Sequence, residues 1–267
     1  MTLALLVGAA LLVAANPPDG RDALLRARQL YNSAQYDMAI AAAEEARGRA
    51  GSADAASLIS ARARLERFRR SADPSDLMTA RDRLKQVRPE GLDPRDRVEL
   101  IVGLGESLFL DDRFGASAEF FASALGRAES LPPQVREGVL EWWASAVDRD
   151  AQSRPSSDRA PRYHAIVERM QTELQRDPYS APAAYWVAAG ARALGDLEWA
   201  WDAAVAGWVR SAYTGGRRET LRADLDRLVQ QAIIPERVRQ LPAANRDADE
   251  AAAGLRREWD EIKQRWD

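Results

Sequence analysis

Small and apolar residues recur at helical spacings in residues 104–125, LGESLFLDDRFGASAEFFASAL. Spacings of three and four residues place side chains on one face of a helix, and the polar DDR in the middle of the stretch is typical of a turn. The pattern therefore predicts two short amphipathic helices joined as a hairpin. From Gly105, at offsets of 3, 9, 12, 16 and 19, the pattern places Leu108, Phe114, Ser117, Phe121 and Ala124.

The same offsets recur in two other stretches, and both predict a further hairpin. Small residues at these positions let two helices approach closely, while larger apolar groups fill the flanks. Because a single hairpin cannot bury its apolar face alone, each one must stack on a neighbour. The first set is Ala27, Leu30, Tyr36, Ala39, Ala43 and Ala46. The second set is Ala188, Ala191, Leu197, Ala200, Ala204 and Gly207.

The three stretches ARQLYNSAQYDMAIAAAEEA, LGESLFLDDRFGASAEFFASAL and VAAGARALGDLEWAWDAAVAGW resemble the tetratricopeptide repeat (TPR) family. The resemblance covers about residues 20–214. It implies an all-α, right-handed α-solenoid that binds partners on its concave surface. The three matching stretches lie about 80 residues apart, which is more than two family periods of about 34 residues. We therefore expect an irregular hairpin in each gap, and about five TPR-like hairpins over residues 16–214.

Each gap contains two helical patterns and an unusual connection. In the first gap, ASLISARARLERFRR and SDLMTARDRLKQV are joined by RRSADP, which exceeds a tight hairpin turn. In the second, QVREGVLEWWASAVDRD and YHAIVERMQTEL are joined by residues 149–161, a polar segment with two prolines. Segments of this kind are typical of surface loops, so we expect residues 149–161 to be mobile.

Residues 215–267 have a different pattern, which predicts a C-terminal helical cap. RRETLRADLDRLVQQAII reads as a helix that stops at Pro235. Asp247 and Glu250 are spaced as a capping box that opens a last helix. An apolar stripe on that helix needs burial, which favours a cap over the open end of the stack; a docking or dimerisation helix is the alternative. The stripe is Leu255, Trp259, Ile262 and Trp266.

The first fifteen residues, MTLALLVGAALLVAA, carry no charge. The run is short for a membrane span and fits the apolar region of a signal peptide. Small residues precede Asn16, so we expect cleavage after Ala15 and a periplasmic or secreted bacterial protein. Because no Lys or Arg precedes the run, an uncleaved N-terminal anchor stays open, as does a buried N-terminal helix.

Composition narrows the classes of function. A hydrophobic content of 46% with 30% charged residues fits a folded chain, and no strand-like alternation occurs, so we expect an all-α protein. The net charge of −3 creates no field that favours nucleic acid. The absence of cysteine excludes thiol nucleophiles and cysteine-based metal sites. The lone His164 has no local catalytic partner. We therefore expect no catalysis, no cofactor and no metal.

Arginine and tryptophan are unevenly distributed. Residues 62–88 are rich in arginine, which indicates either a solvated surface or a site for an anionic partner. Only Phe68 is interleaved there, which argues against a stacking platform for single-stranded nucleic acid. The tryptophans of the C-terminal half have helical spacing, which favours core packing over anchors on an exposed groove. They are Trp142, Trp143, Trp186, Trp199, Trp201 and Trp208.

The resemblance implies that the first helix of each hairpin lines a binding groove. On those helices, the residues that face away from the small-residue seam are Arg28, Asn32, Glu106, Phe109, Tyr185 and Arg192. We expect an exported, monomeric scaffold or adaptor that binds a protein or peptide, without a membrane span after signal removal. One alternative is an envelope-assembly or cell-wall-associated factor that binds glycan or peptidoglycan-processing enzymes. A weaker one is a carboxylate-dependent enzyme, which would need two converging carboxylates in a deep cleft.

Overall fold

The computed structural model of the chain describes residues 20–49, 51–127, 131–241 and 247–267. Within these ranges every regular element is helical and no strand occurs, which confirms the all-α prediction. The expected signal or anchor segment, residues 1–15, and the cleavage point before Asn16 lie outside the described residues. No helix in the described ranges combines the length and the apolar character needed to cross a bilayer.

The backbone divides into two compact units, an N-terminal unit that ends at Leu92 and a C-terminal unit, Asp93–Asp267. The N-terminal unit packs its helices in chain order, each against the next. Ala27, Ala39 and Ala43 of the predicted seam are fully buried between them. Its helices are α1 (Gly20–Asn32), α2 (Tyr36–Arg47), α3 (Ala53–Ser71) and α4 (Pro74–Gln86).

The C-terminal unit consists of hairpins whose first helices also contact one another. Its helices are α5 (Pro94–Phe109), α6 (Phe114–Leu125), α7 (Pro133–Gln152), α8 (Ala160–Arg176), α9 (Ala181–Ala193), α10 (Leu197–Arg210), α11 (Arg218–Leu228), α12 (Ile234–Gln240) and α13 (Ala248–Arg265). Within the hairpins, α5 packs on α6, α7 on α8 and α9 on α10. Between them, α5 contacts α7, α7 contacts α9 and α9 contacts α11. Contacts of this order are those that stacked hairpins produce.

The three hairpins that share the sequence offsets also share one turn. The residue two positions before the second helix has positive φ in each: 55° at Ala34, 56° at Asp112 and 83° at Gly195. The next N–H then donates to the carbonyl five residues back, which is the bond that closes a Schellman-type helix end. These bonds are Gln35 to Leu30 (2.9 Å), Arg113 to Leu108 (2.9 Å) and Asp196 to Ala191 (3.1 Å). The common offsets therefore correspond to a common backbone geometry.

The small residues of the seam are required by close helix contacts. In the α5–α6 hairpin, a Cβ on Gly105 would lie 2.8 Å from Cε1 of Phe121, which is fully buried. Ser117 Oγ donates to the Gly105 carbonyl at 2.8 Å. In the α9–α10 hairpin, Ala188 and Ala200 are fully buried. The offsets found in the sequence thus mark the faces on which the paired helices meet.

The connection between α3 and α4 is shorter than the sequence suggests. We expected RRSADP to exceed a tight turn, and this is wrong: only Ala72 and Asp73 lie between the helices. Ala72 takes φ 55° and its N–H donates to the Phe68 carbonyl at 2.7 Å. Asp73 Oδ1 accepts from the Ser75 N–H at 2.9 Å, and Pro74 occupies the first helical position. A left-handed helix end, a side-chain cap and a proline together close the turn.

The segment 149–161 is also more ordered in secondary structure than a long loop. α7 continues to Gln152 and α8 begins at Ala160, and a 3-10 turn, Ser156–Asp158, lies between them. The Arg159 guanidinium donates to the carbonyls of Arg154 (2.9 Å) and Gln152 (3.3 Å). These bonds satisfy the carbonyl of the last residue of α7 and that of a residue just beyond the helix, which have no helical donor.

Pro235 does not stop the helix that precedes it, so this expectation is wrong. A π-helical turn, Val229–Ile233, connects α11 directly to α12. The Ile234 N–H donates to the Val229 carbonyl, five residues back. Proline lacks an N–H and its ring crowds the carbonyl four residues earlier. The wider turn just before Pro235 accommodates this loss without ending the helix.

The last helix, α13, packs within its unit against Trp201 and Trp208, and this contact buries part of the predicted apolar stripe. Asp247 Oδ1 accepts from the Glu250 N–H at 3.0 Å and caps the helix. Trp259 is fully buried, with its ring centroid 5.8 Å from that of Trp201 and 5.5 Å from that of Trp208. Trp266 is 50% exposed and so does not belong to the buried stripe. The assignment of residues 215–267 as a separate cap stays a prediction.

Candidate functional site: a groove on α7, α9 and α11

Two adjoining cavities of about 360 and 590 Å³ lie along α7, α9 and α11 of the C-terminal unit. They share Tyr185 and Trp186 in their linings, so we treat them as one feature, the α7–α9–α11 groove. On α7 the lining residues are spaced by three or four, and on α9 and α11 they are spaced by one, three or four, so on each helix they form one face. They include Glu141, Ser145, Asp148 and Gln152 of α7; Tyr185, Trp186, Ala189 and Arg192 of α9; and Thr220, Leu221, Asp224 and Leu228 of α11.

On α7 and α9, the lining follows from positions around a small buried residue. Ala144 of α7 and Ala188 of α9 are both fully buried. Residues three before, one after and four after each of them face the groove. The middle of these three positions carries a short side chain, Ser145 on α7 and Ala189 on α9. An open channel is therefore left between the two helices. The three positions are Glu141, Ser145 and Asp148 on α7, and Tyr185, Ala189 and Arg192 on α9.

An aromatic pair lies where the two cavities meet. The rings of Tyr185 and Trp186 are 5.4 Å apart and nearly perpendicular, at 83°. The Tyr185 hydroxyl makes no hydrogen bond with any residue that the structure describes, and burial, followed by the charges of Asp224 and Asp148, raises the pKa of Tyr185. Trp143, Trp201 and Trp208 are buried, as the spacing predicts. Trp186 is half-buried and also lines the groove.

Ion pairs occupy most of the arginines around the groove. Arg192 pairs with Glu236, with Nε 2.9 Å from Oε2. Arg217 lies 3.6 Å from Glu137 and 3.4 Å from Glu141. The guanidinium side chains of both arginines are more than a third exposed, so solvent screens these pairs and they contribute little stability.

Asp148 is held in a different way, by neutral donors. Its Oδ1 accepts from the Tyr163 hydroxyl at 2.9 Å and its Oδ2 accepts from Gln152 Nε2 at 2.7 Å. Burial and this hydrogen bond raise the pKa of Tyr163 to about 12. The carboxylate is therefore oriented, yet its charge is not neutralised by an ion pair with any described residue.

The environment of Glu137 bears on the enzyme alternative. Burial raises the pKa of Glu137, and the charge of Arg217 opposes that change. Glu137 does not line either cavity of the groove. Among the residues that the structure describes, no cluster of three or more His, Asp or Glu side chains could hold a metal ion.

The structure brings two of the six predicted groove residues together. Tyr185 and Arg192 line the same cavity. Arg28 is half-buried and Asn32 exposed, both on α1 of the N-terminal unit. Phe109 packs against other rings, with centroids 5.1 Å from Phe114 and 4.8 Å from Trp142.

Glu106 requires a correction, because it is only 3% exposed. The face of α5 that carries it also carries Val102, which is 1% exposed and belongs to the hydrophobic core. Glu106 directly follows the small residue Gly105, as Ser145 follows Ala144 on α7 and Ala189 follows Ala188 on α9. This position lines the groove on α7 and α9 but is buried on α5. The side chain of Glu106 is not available to a partner at the surface.

The arginines of residues 62–88 are engaged within the N-terminal unit. Arg67 Nε donates to the buried Asp76 at 2.7 Å, and its Nη1 donates to Asp37 at 2.7 Å. Arg83 pairs with Glu44 at 3.1 Å. The guanidinium groups of Arg62 and Arg70 lie over the rings of Tyr31 and Tyr36, at 5.4 and 4.5 Å from the centroids. These contacts favour a structural role over a site for an anionic partner.

The chain matches no model of a known protein family, and no curated protein matches it. The resemblance to tetratricopeptide repeats therefore stays a prediction that rests on the shared offsets and turns.

Replacing Tyr163 with phenylalanine should lower the free energy of unfolding by about 1 kcal/mol, because the hydrogen bond to Asp148 is lost. The pKa of Tyr163 is about 12 in the folded chain and about 10 in an unfolded one. Between these values the unfolded chain releases the proton first, so the contribution of Tyr163 is present below pH 10 and is lost as the pH rises towards 12. Urea unfolding at pH 9 and pH 11 should therefore show a larger loss of stability for the wild type than for Tyr163→Phe.

The matched control is Tyr213→Phe, which removes the hydroxyl of a tyrosine that is 67% exposed. This variant should keep both the stability and the pH dependence of the wild type. An identical pH dependence of wild type and Tyr163→Phe would contradict the assignment of the raised pKa to Tyr163.

Proposed function

We propose that the protein is a scaffold or adaptor, without catalysis, that binds an extended segment of a partner protein in the α7–α9–α11 groove. The observation that carries this proposal is the Tyr185–Trp186 pair at the junction of two cavities lined by consecutive first helices. Tyrosine and tryptophan are the side chains that most often dominate binding energy at protein interfaces. A half-buried pair of them in a groove is a ready contact surface for a peptide.

The dimensions and lining of the groove suit an extended peptide. On α7 the lining runs from Glu141 to Gln152, about 16 Å at 1.5 Å per residue. An extended chain of about five residues has that length. Ser145, Thr220 and Gln152 offer hydrogen-bonding groups along it, which an extended backbone needs. Mixed polar and aromatic lining of this kind favours the adaptor over the enzyme.

The architecture and the location belong to the same proposal. The hairpins form a TPR-like solenoid, supported by the repeated offsets and by the common turn at Ala34, Asp112 and Gly195. The protein is exported to the periplasm or beyond, supported by the uncharged apolar run of residues 1–15. Its partner is then a protein of the same compartment.

The test is retention of partners by a groove-blocked variant. In Ala189→Arg, a long charged side chain fills the middle of the groove, where Ala189 lies between Tyr185 and Arg192. The matched control is Asp202→Arg, at an exposed position of α10, which lines neither cavity. Equal circular dichroism spectra and melting temperatures establish that both variants fold.

An envelope extract of the source organism is passed over each immobilised full chain, and retained proteins are quantified by mass spectrometry. We expect at least one protein that the wild type and Asp202→Arg retain equally and that Ala189→Arg retains at least tenfold less. If all three chains retain the same proteins in the same amounts, the groove is not the binding site.

A further inference from the structure

Each cavity of the groove is lined by two carboxylates, and one of the two, Glu141 or Glu236, already pairs with an arginine. Asp148 lines the cavity of about 590 Å³ and Asp224 the cavity of about 360 Å³, and Tyr185 lines both. Burial raises the pKa of Tyr185, the charges of Asp224 and Asp148 raise it further, and the charges of Arg227 and Arg192 oppose that change. The junction therefore combines two anionic groups with the faces and edges of two aromatic rings.

The arginines that line the two cavities have hydrogen-bonded partners other than Asp148 and Asp224, although the charge of Arg192 also acts on Asp148. Arg159 donates to the carbonyls of Arg154 and Gln152. Arg192 is paired with Glu236, and Arg217 with Glu137 and Glu141. The Asp148 carboxylate has only the neutral donors of Tyr163 and Gln152 within bonding distance among the described residues.

Asp224 pairs with Arg227 at 3.0 Å, one turn further along α11. That pair is exposed, with the Arg227 side chain 62% accessible, and solvent screens exposed pairs so that they contribute little stability. A cation that entered the groove could therefore replace Arg227 at little cost.

We infer that the Tyr185–Trp186 junction is an anchor subsite for a basic side chain, above all arginine, of the bound segment. This inference rests on the proposed function and adds the chemistry that the groove selects. A planar guanidinium stacks on an aromatic ring and at the same time donates hydrogen bonds in its plane to carboxylates. The junction offers the rings of Tyr185 and Trp186 together with Asp148 and Asp224.

The chain uses the same chemistry to hold itself together. Arg222 lies 4.6 Å from the ring centroid of Trp208, and Arg237 lies 5.1 Å from that of Trp201. In both cases an arginine side chain covers a tryptophan of the C-terminal unit. Trp186 differs, because its surroundings form an open cavity and two carboxylates stand beside it.

The test uses the full chain and pools of capped nonapeptides that differ only in the fixed central residue, with Ala, Gly, Ser and Pro mixed at the other positions. The central residue is arginine, its neutral analogue citrulline, or glutamate. Binding is followed by NMR, through the chemical shift of the Trp186 indole N–H. This resonance is assigned as the one that is missing from the spectrum of Trp186→Phe. We expect the arginine pool to shift this resonance with at least tenfold higher affinity than the citrulline pool, because citrulline has nearly the same shape but lacks the positive charge and has a carbonyl oxygen in place of one N–H donor group.

Asp148→Asn should lower the affinity for the arginine pool at least tenfold and change that for the citrulline pool less than twofold. Asp202→Asn, outside the groove, should change neither. Asp224→Asn provides a second variant in case Asp148→Asn has a lower melting temperature than the wild type, and it should act in the same direction.

Equal affinities of the arginine and citrulline pools, or unchanged affinity in both groove variants, overturn the basic anchor. Tightest binding of the glutamate pool at Trp186 also overturns it, but leaves the peptide-binding groove in place. If no pool shifts the Trp186 resonance, the basic anchor and the proposed function both fail.

Discussion

Replacing Trp259 with alanine should lower the free energy of unfolding by about 3–5 kcal/mol, the range for large-to-small substitutions in a core. Trp259 is the largest fully buried side chain among the described residues. Its ring contacts those of Trp201 and Trp208, and its Nε1–H donates to Asp226 at 2.8 Å. Alanine would leave a cavity between the rings and remove the hydrogen bond. Urea unfolding followed by circular dichroism measures the difference.

Trp266→Ala is the control on the same helix. Trp266 is 50% exposed, and its carbonyl, which accepts from Arg222 at 2.8 Å, remains in the variant. We expect a change within about 0.5 kcal/mol, as for most surface positions. If Trp259→Ala is no more destabilising than Trp266→Ala, then α13 does not close the unit in solution, and the docking helix that the sequence left open would be the better interpretation.

Replacing Gly105 with leucine should lower the free energy of unfolding by about 3 kcal/mol, towards the upper end of the range for overpacked cores. A Cβ at this position meets three atoms of the Phe121 ring, the nearest at 2.8 Å. Phe121 is fully buried and cannot move aside without displacing its neighbours. The measurement is again urea unfolding.

Gly138→Leu is the control: it replaces a glycine with leucine inside a helix, at a position that has no contact like that of Gly105 with Phe121. A Cβ on Gly138 meets no heavy atom within 4 Å beyond its own helical turn, and leucine favours the helix over glycine by about 0.8 kcal/mol. This variant should therefore be as stable as the wild type or more stable. Equal destabilisation at both positions would mean that Gly105 is not at a close contact of helices.

The sequence predicted the hairpins best where a small residue and a turn occur together. The offsets from Gly105 gave the α5–α6 pairing and its turn at Asp112, because close approach and a left-handed residue are local requirements. The offsets did not identify the α7–α8 hairpin. Ala144 of α7 corresponds to Gly105 of α5, but α7 continues to Gln152, beyond the point where the offsets place a turn. The π-helical turn before Pro235 was missed because proline alone signals a stop.

The groove was only partly predictable, because the sequence shows which residues share a helix face but not which faces other helices cover. Tyr185 and Arg192 were found from their positions relative to Ala188. Asp148 lies four residues after Ala144 on α7, as Arg192 lies four residues after Ala188 on α9. A comparison of the first helices alone, without the turn and the second helix, would have identified it. The burial of Glu106 could not be read from the sequence, because it depends on how the neighbouring helices cover α5. The boundary after Leu92 depends in the same way on contacts between distant parts of the chain.

Photo-crosslinking from the groove tests the central claim most directly. A benzoylphenylalanine is placed at Thr220, an exposed position of the groove lining, or at Asp202 of α10, and the full chain is irradiated in the envelope extract. If the groove binds an extended partner segment, a protein is crosslinked from Thr220 and not from Asp202, and mass spectrometry locates the crosslink in one short segment of that protein. A protein crosslinked from Asp202 with none from Thr220 would contradict the claim.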